Sequence, residues 1–76
     1  MATRSSAAAL ILFVVYDHPI DYPEGFLIRR WSGFHPEKEP FTTGATVEEV
    51  RARIPMGLYN LGREADDDSA ILEVWA

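Results

Sequence analysis

Between positions 10 and 16 the chain reads LILFVVY, apolar at every position and rich in β-branched and aromatic residues. A strand apolar on both faces belongs inside a sheet with cover on each side, so this segment is expected to be a central strand. Positions 26–31, FLIRRW, alternate instead. Phe26 and Ile28 fall on one face, with Leu27, Arg29 and Trp31 on the other, the period of a strand whose second face is only partly buried. The final AILEVWA, residues 70–76, alternates in the same way, with Leu72 and Val74 on one face and Ile71, Glu73 and Trp75 on the other. TVEEVRARIP predicts a short helix over residues 47–54. Thr46 can accept from the backbone N–H three residues on and Glu49 can reach back, forming a capping box. Val47, Val50 and Ile54 share a face, Glu49 sits one turn before Arg53, and Pro55 forbids continuation.

These elements predict a small α+β domain of strand-strand-helix-strand order. The first two strands form an antiparallel hairpin with a structured tip, and the helix returns over one face before the last strand enters beside the first. The expectation is a three-stranded antiparallel sheet, order 2-1-3, with one short helix on one face. Residues 32–44, which hold two prolines, two glycines and the run EKE, read as a surface connection. Residues 55–69 read as irregular, anchored to the core by Leu58, Tyr59 and Leu61. The opposite sheet face would carry Leu27, Arg29, Trp31, Ile71, Glu73 and Trp75.

Length limits what this core can supply. Seventy-six residues make one domain, 1–76, with residues 1–8 expected to be a disordered tail. The chain has no cysteine, so neither a disulfide nor a thiolate zinc site can reinforce it. A domain of this size gains only ~3–5 kcal/mol from one core, which makes burial of a further face against a second copy, a homodimer, a physically reasonable supplement. The formal charge of −5 repels phosphate backbones and argues against nucleic acid as a partner. The opening MATRSSAAALILFVVYD imitates a secretory signal, yet Tyr16, Asp17, His18 and Pro19 stand where small residues before a cleavage site belong. The apolar run is also too short to span a bilayer as a helix. A cytoplasmic protein without membrane attachment is the expectation.

The chemistry-bearing residues concentrate in VVYDHPIDYPEGF, residues 14–26. Asp17, His18 and Asp21 are close enough in sequence to hold a divalent transition metal, or to act in proton transfer if a carboxylate fixes the imidazole tautomer. Their spacing matches no established ligand motif, and His35, the other histidine, lies in the expected surface connection. Turn-building accounts for the same residues more completely. Pro19 and Pro23 fix φ, Asp17 and Asp21 can form Asx-type turns, and Gly25 permits a conformation that other residues avoid. The acidic triplet of Asp66, Asp67 and Asp68 lacks the spacing of a calcium loop and reads as a solvated turn. No cofactor is expected.

YDHPIDYP at residues 16–23, the RRW that ends the second strand, IPMGLY at 54–59 and the terminal ILEVW together resemble a family of small uncharacterised proteins of bacteria and bacteriophages. The resemblance covers most of the chain from Val14 onward and implies no activity, cofactor or catalytic residue.

The functional expectation is therefore a non-enzymatic protein-interaction or self-associating module. Its candidate surface comprises Asp17, His18, Asp21, Tyr22, Arg29, Trp31, Glu73 and Trp75, because Trp and Arg favour protein interfaces. A small metal-dependent or hydrolytic enzyme built on Asp17, His18 and Asp21 is the alternative. A single-strand nucleic-acid adaptor that stacks bases on Trp31 and Trp75 comes third.

Overall fold

The computed structural model describes residues 10–64 and 68–76. The expected N-terminal tail, together with Asp66 and Asp67, lies outside the described residues. The strands are β1 (Ile11–Asp17), β2 (Phe26–Ser32), β3 (His35–Pro36), β4 (Thr42–Gly44), β5 (Asn60–Gly62) and β6 (Ile71–Trp75), with helix α1 (Val47–Arg51) between β4 and β5. The expected three-stranded sheet is overturned. Among the described residues six strands join one antiparallel sheet along the order β3-β2-β1-β6-β5, and β4 also pairs with β2. The additions arise inside the two segments read as irregular. They are two or three residues long, too short for period-two patterning to show, and backbone pairing with β2 and β6 alone defines them. Their brevity also blunts both sheet edges against pairing with other chains.

β1 pairs with β2 from Ile11↔Ser32 to Asp17↔Phe26 and with β6 from Phe13↔Trp75 to Tyr16↔Ile71, so its apolar residues meet partners on both sides. On the helix side Phe13, Val15, Ile28 and Val50 form the core, with Ile11, Phe26, Val47, Ile54, Leu58 and Trp75 packed around it. Val15, Ile28 and Val50 are fully buried, each contributing about 1.5–3 kcal/mol over an exposed position. Phe41, just ahead of β4 and itself partly exposed, meets Phe13 edge-on with ring centroids 5.0 Å apart.

Thr46 caps α1, its hydroxyl accepting from the Glu49 N–H at 3.2 Å. The Glu49 carboxylate accepts from the Ala45 N–H at 2.8 Å, one residue further back than a capping box requires. Regular helix ends at Arg51, earlier than the expected Ile54; Arg53 and Ile54 donate to Val50 and Arg51, tightening the last turn ahead of Pro55. Of the three anchors expected beyond it, Leu58 packs on the core, whereas Tyr59 and Leu61 are exposed. Tyr59 is instead held by its backbone, which exchanges two hydrogen bonds with Ala76.

The expected common face for Trp31 and Trp75 is also corrected. Register places Trp75 beside Phe13 and Glu73 beside Val15, on the side of α1, while Trp31 lies beside Leu12 on the opposite side, which is helix-free among the described residues. The alternation along β6 was readable, but the choice of face follows from a buried carboxylate that finds its partners only beneath the helix.

Candidate functional site

The loop between β1 and β2 is a built turn. The His18 N–H donates to the Gly25 carbonyl at 2.8 Å and the Tyr22 N–H to the Pro19 carbonyl at 3.0 Å. Tyr22 thus serves the turn through its backbone. The unusual backbone conformation belongs to His18, with φ 51°, and not to Gly25. Gly25 is required by proximity: a Cβ there would stand 2.5 Å from the Gly44 carbonyl oxygen of β4.

This turn separates the three residues of the enzymatic alternative. His18 Nδ1 lies 2.5 Å from Asp17 Oδ1, and the imidazole packs edge-on against Phe26, centroids 5.3 Å apart. That half-exposed pair sits on the helix side, as does Phe26. Asp21 is turned to the other side, where Oδ2 accepts from Arg29 at 2.5 Å. The expected Asx turns do not form, because the residues two positions on are Pro19 and Pro23, which have no N–H to donate. His35 pairs with Ser32 at the opposite end of the β1–β2 hairpin. Among the described residues, no three His, Asp or Glu side chains converge to hold a metal ion.

On the helix-free side, Tyr16 and Trp31 lie on either side of the Val14–Arg29 pair and meet above it, Trp31 Nε1 donating to the Tyr16 hydroxyl at 3.3 Å. Val14 and Leu27 are buried on this face although, among the described residues, no helix covers it. Beside the aromatic pair opens a cleft of about 320 Å³ walled by Tyr16, Leu27, Trp31, Pro19, Ile20 and Pro36, with Asp21, Arg29, Asp68 and Ala70 completing its lining. Ile20 is 99% exposed, an apolar side chain held in water at the cleft wall. Arg29 fixes the arrangement. One guanidinium nitrogen donates to the carbonyls of Glu37 and Lys38, at 2.8 and 2.7 Å, and the other to Asp21, binding the loop tip to the segment after β3. Burial pushes the Tyr16 phenol above its ordinary pKa; the Trp31 N–H and Arg29 act against this, and the nearby Asp68 and Asp21 charges reinforce it.

Glu73 and Trp75, two members of the expected surface, belong to a different arrangement under the helix. Glu73 is 5% exposed and accepts four hydrogen bonds: two from Arg51 of α1 at 2.8 and 2.7 Å, one from Asn60 of β5 at 3.1 Å and one from the Trp75 indole at 2.8 Å. The Arg51 hydrogen bonds hold its pKa below the usual carboxylate range against the upward push of burial, helped by Trp75 and Asn60. The same bonds raise the Arg51 pKa. The node ties helix, edge strand and central sheet together and has a structural role.

Of the residues expected at the surface, then, Asp21, Arg29 and Trp31 meet at the cleft, while Asp17, His18, Tyr22, Glu73 and Trp75 do not. Leu27 was expected on this face, and Pro19 and Ile20 fall within the expected loop from Asp17 to Asp21; sequence reading missed Tyr16, Pro36 and Asp68. The hairpin offered one signal: a tight register at Asp17↔Phe26 puts Tyr16 opposite Leu27, on the face of Arg29 and Trp31. Asp68, 47 positions after Asp21, had none. Among the described residues no helix is long and apolar enough to cross a membrane. No family model, curated protein or solved structure matches the chain.

Proposed function

We propose that this protein is a non-enzymatic recognition module that binds a partner protein through the helix-free face, in the cytoplasm and without nucleic acid. The observation that supports the reading is the cleft beside Tyr16 and Trp31, aromatic and apolar on its walls and held open by the three hydrogen bonds of Arg29. Walls fixed in advance lower the ordering cost of association, and Trp, Tyr and Arg are the residue types that dominate interface energetics. Ile20 adds an apolar anchor that is 99% exposed. The enzymatic alternative keeps only the Asp17–His18 pair, since Asp21 is committed to Arg29 on the other side of the sheet.

A displayed random-peptide library selected on the immobilised protein tests the reading, with Ile20→Ser and Met56→Ser as parallel baits. Both positions are almost fully exposed, so neither substitution disturbs the fold. Peptides enriched on the parent and on Met56→Ser but lost on Ile20→Ser are the expected result. Enrichment absent, or equal on all three baits, would overturn it. Light scattering across a concentration series identifies the case in which the partner is a second copy.

A further inference from the structure

The chemistry of the cleft indicates what kind of side chain it receives. Its volume, about 320 Å³, stands at the lower end of the ~300–1,000 Å³ typical of ligand pockets, suited to one long side chain rather than a nucleotide cofactor. The walls are aromatic and apolar, and among the described residues the charged groups around them are two carboxylates, Asp21 and Asp68, and one guanidinium, Arg29. That guanidinium is already committed to two carbonyls and to Asp21, which leaves it little to offer an anion. The carboxylates have capacity to spare. Asp21 uses Oδ2 for Arg29 and Asp68 uses Oδ1 for the Ala70 N–H, and among the described residues their other oxygens have no donor. Around this local excess of negative charge the whole chain carries −5, a field that attracts basic partners and repels acidic ones.

Resting on the recognition reading above, we propose that the cleft binds a lysine or arginine side chain presented by a basic segment of the partner protein. The aliphatic stem lies along Trp31, Tyr16 and Leu27, and the cationic head reaches the free oxygens of Asp21 and Asp68. Long basic side chains combine an apolar stem with a charged tip, and this cleft combines apolar walls with a carboxylate rim. Trp31 adds the most favourable ring for a cation. Arg29 is a positioning residue: by holding Asp21 at the rim and residues 37–38 beside the cleft, it shapes the site without contacting the bound cation.

The test uses the full chain and four short capped peptides, identical except for a central Lys, Arg, norleucine or Glu. Binding is followed through the indole N–H resonances of Trp31 and Trp75. The Lys and Arg peptides are expected to move the Trp31 resonance and leave Trp75 in place, with affinity about tenfold above that of the norleucine peptide, a gap that shrinks with added salt. Asp68→Asn, which leaves the Arg29–Asp21 bridge intact, is expected to remove most of that gap, and Asp21→Asn with Asp68→Asn all of it. Norleucine binding as tightly as lysine, or a preference for Glu, would overturn the cation assignment while leaving recognition by this face standing. No movement of Trp31 with any peptide, combined with an empty library selection, would remove both.

Discussion

Replacing Arg51 by alanine leaves the Glu73 carboxylate under the helix with two of its four hydrogen bonds, those from Asn60 and Trp75. Removing one partner of a fully buried ion pair costs about 3–5 kcal/mol, because the remaining charge cannot be resolvated. Arg51 is 41% exposed at its side chain while Glu73 is 6% exposed, so water that already reaches the guanidinium reduces the expected loss to roughly 2 kcal/mol. For a domain of this size that corresponds to a fall of about 10 °C in Tm. The pH dependence has a definite sign. In the parent, Glu73 has a folded pKa below its unfolded value, so its contribution is present above about pH 4.3 and is lost as pH falls through the folded pKa. Without Arg51 the largest influence lowering that pKa is gone and only Trp75 and Asn60 oppose burial, so the variant's folded pKa lies above the parent's, and the stability gap between parent and Arg51→Ala is widest near neutrality and closes on acidification. Urea denaturation followed by far-UV circular dichroism, at neutral pH and at pH values approaching the carboxylate range, measures each quantity. A gap below about 0.5 kcal/mol at neutral pH, or one that widens in acid, would refute the argument.

Gly25→Ala places a methyl group 2.5 Å from the Gly44 carbonyl oxygen, and the backbone must shift to admit it; a loss of about 1–3 kcal/mol in urea denaturation is expected. Thr46→Ala removes the acceptor for the Glu49 N–H and should cost about 1 kcal/mol, with Thr46→Ser retaining most of it. Tyr16, titrated by the NMR shift of its Cζ, is expected to ionise above the ordinary phenol pKa of about 10. Because the folded pKa is raised, stability associated with this group is complete below the unfolded pKa and is lost as pH rises through the folded one, a decline that Tyr16→Phe should remove.

The local elements were legible because each announces itself over a handful of neighbouring residues. The unbroken apolar run of β1, the alternation in FLIRRW and ILEVW, and the Thr46 and Pro55 signals at either end of the helix are properties of single segments. The candidate site was legible only in part, through Asp21, Arg29 and Trp31. A period-two strand offers two equivalent faces, and nothing in ILEVW says which one turns toward the helix. For Glu73 and Trp75 that choice was made by Arg51, 22 positions away, and Asn60, 13 positions away.

By itself, then, the sequence determined the central strand, its hairpin neighbour, the capped helix, the last strand and the presence of a built turn in YDHPIDYP, all of which rest on local sterics and hydrophobic period. Tertiary structure decided the rest. Pairing with β2 and β6 turned three short irregular-looking stretches into strands, and a buried carboxylate placed Trp75 with the core and left Trp31 on the helix-free face. The turn sent Asp21 to Arg29 while Asp17 and His18 stayed on the other side. Each of these outcomes depends on groups far apart in the chain satisfying one another's hydrogen bonds and charge, a condition that exists only once the sheet has closed around β1.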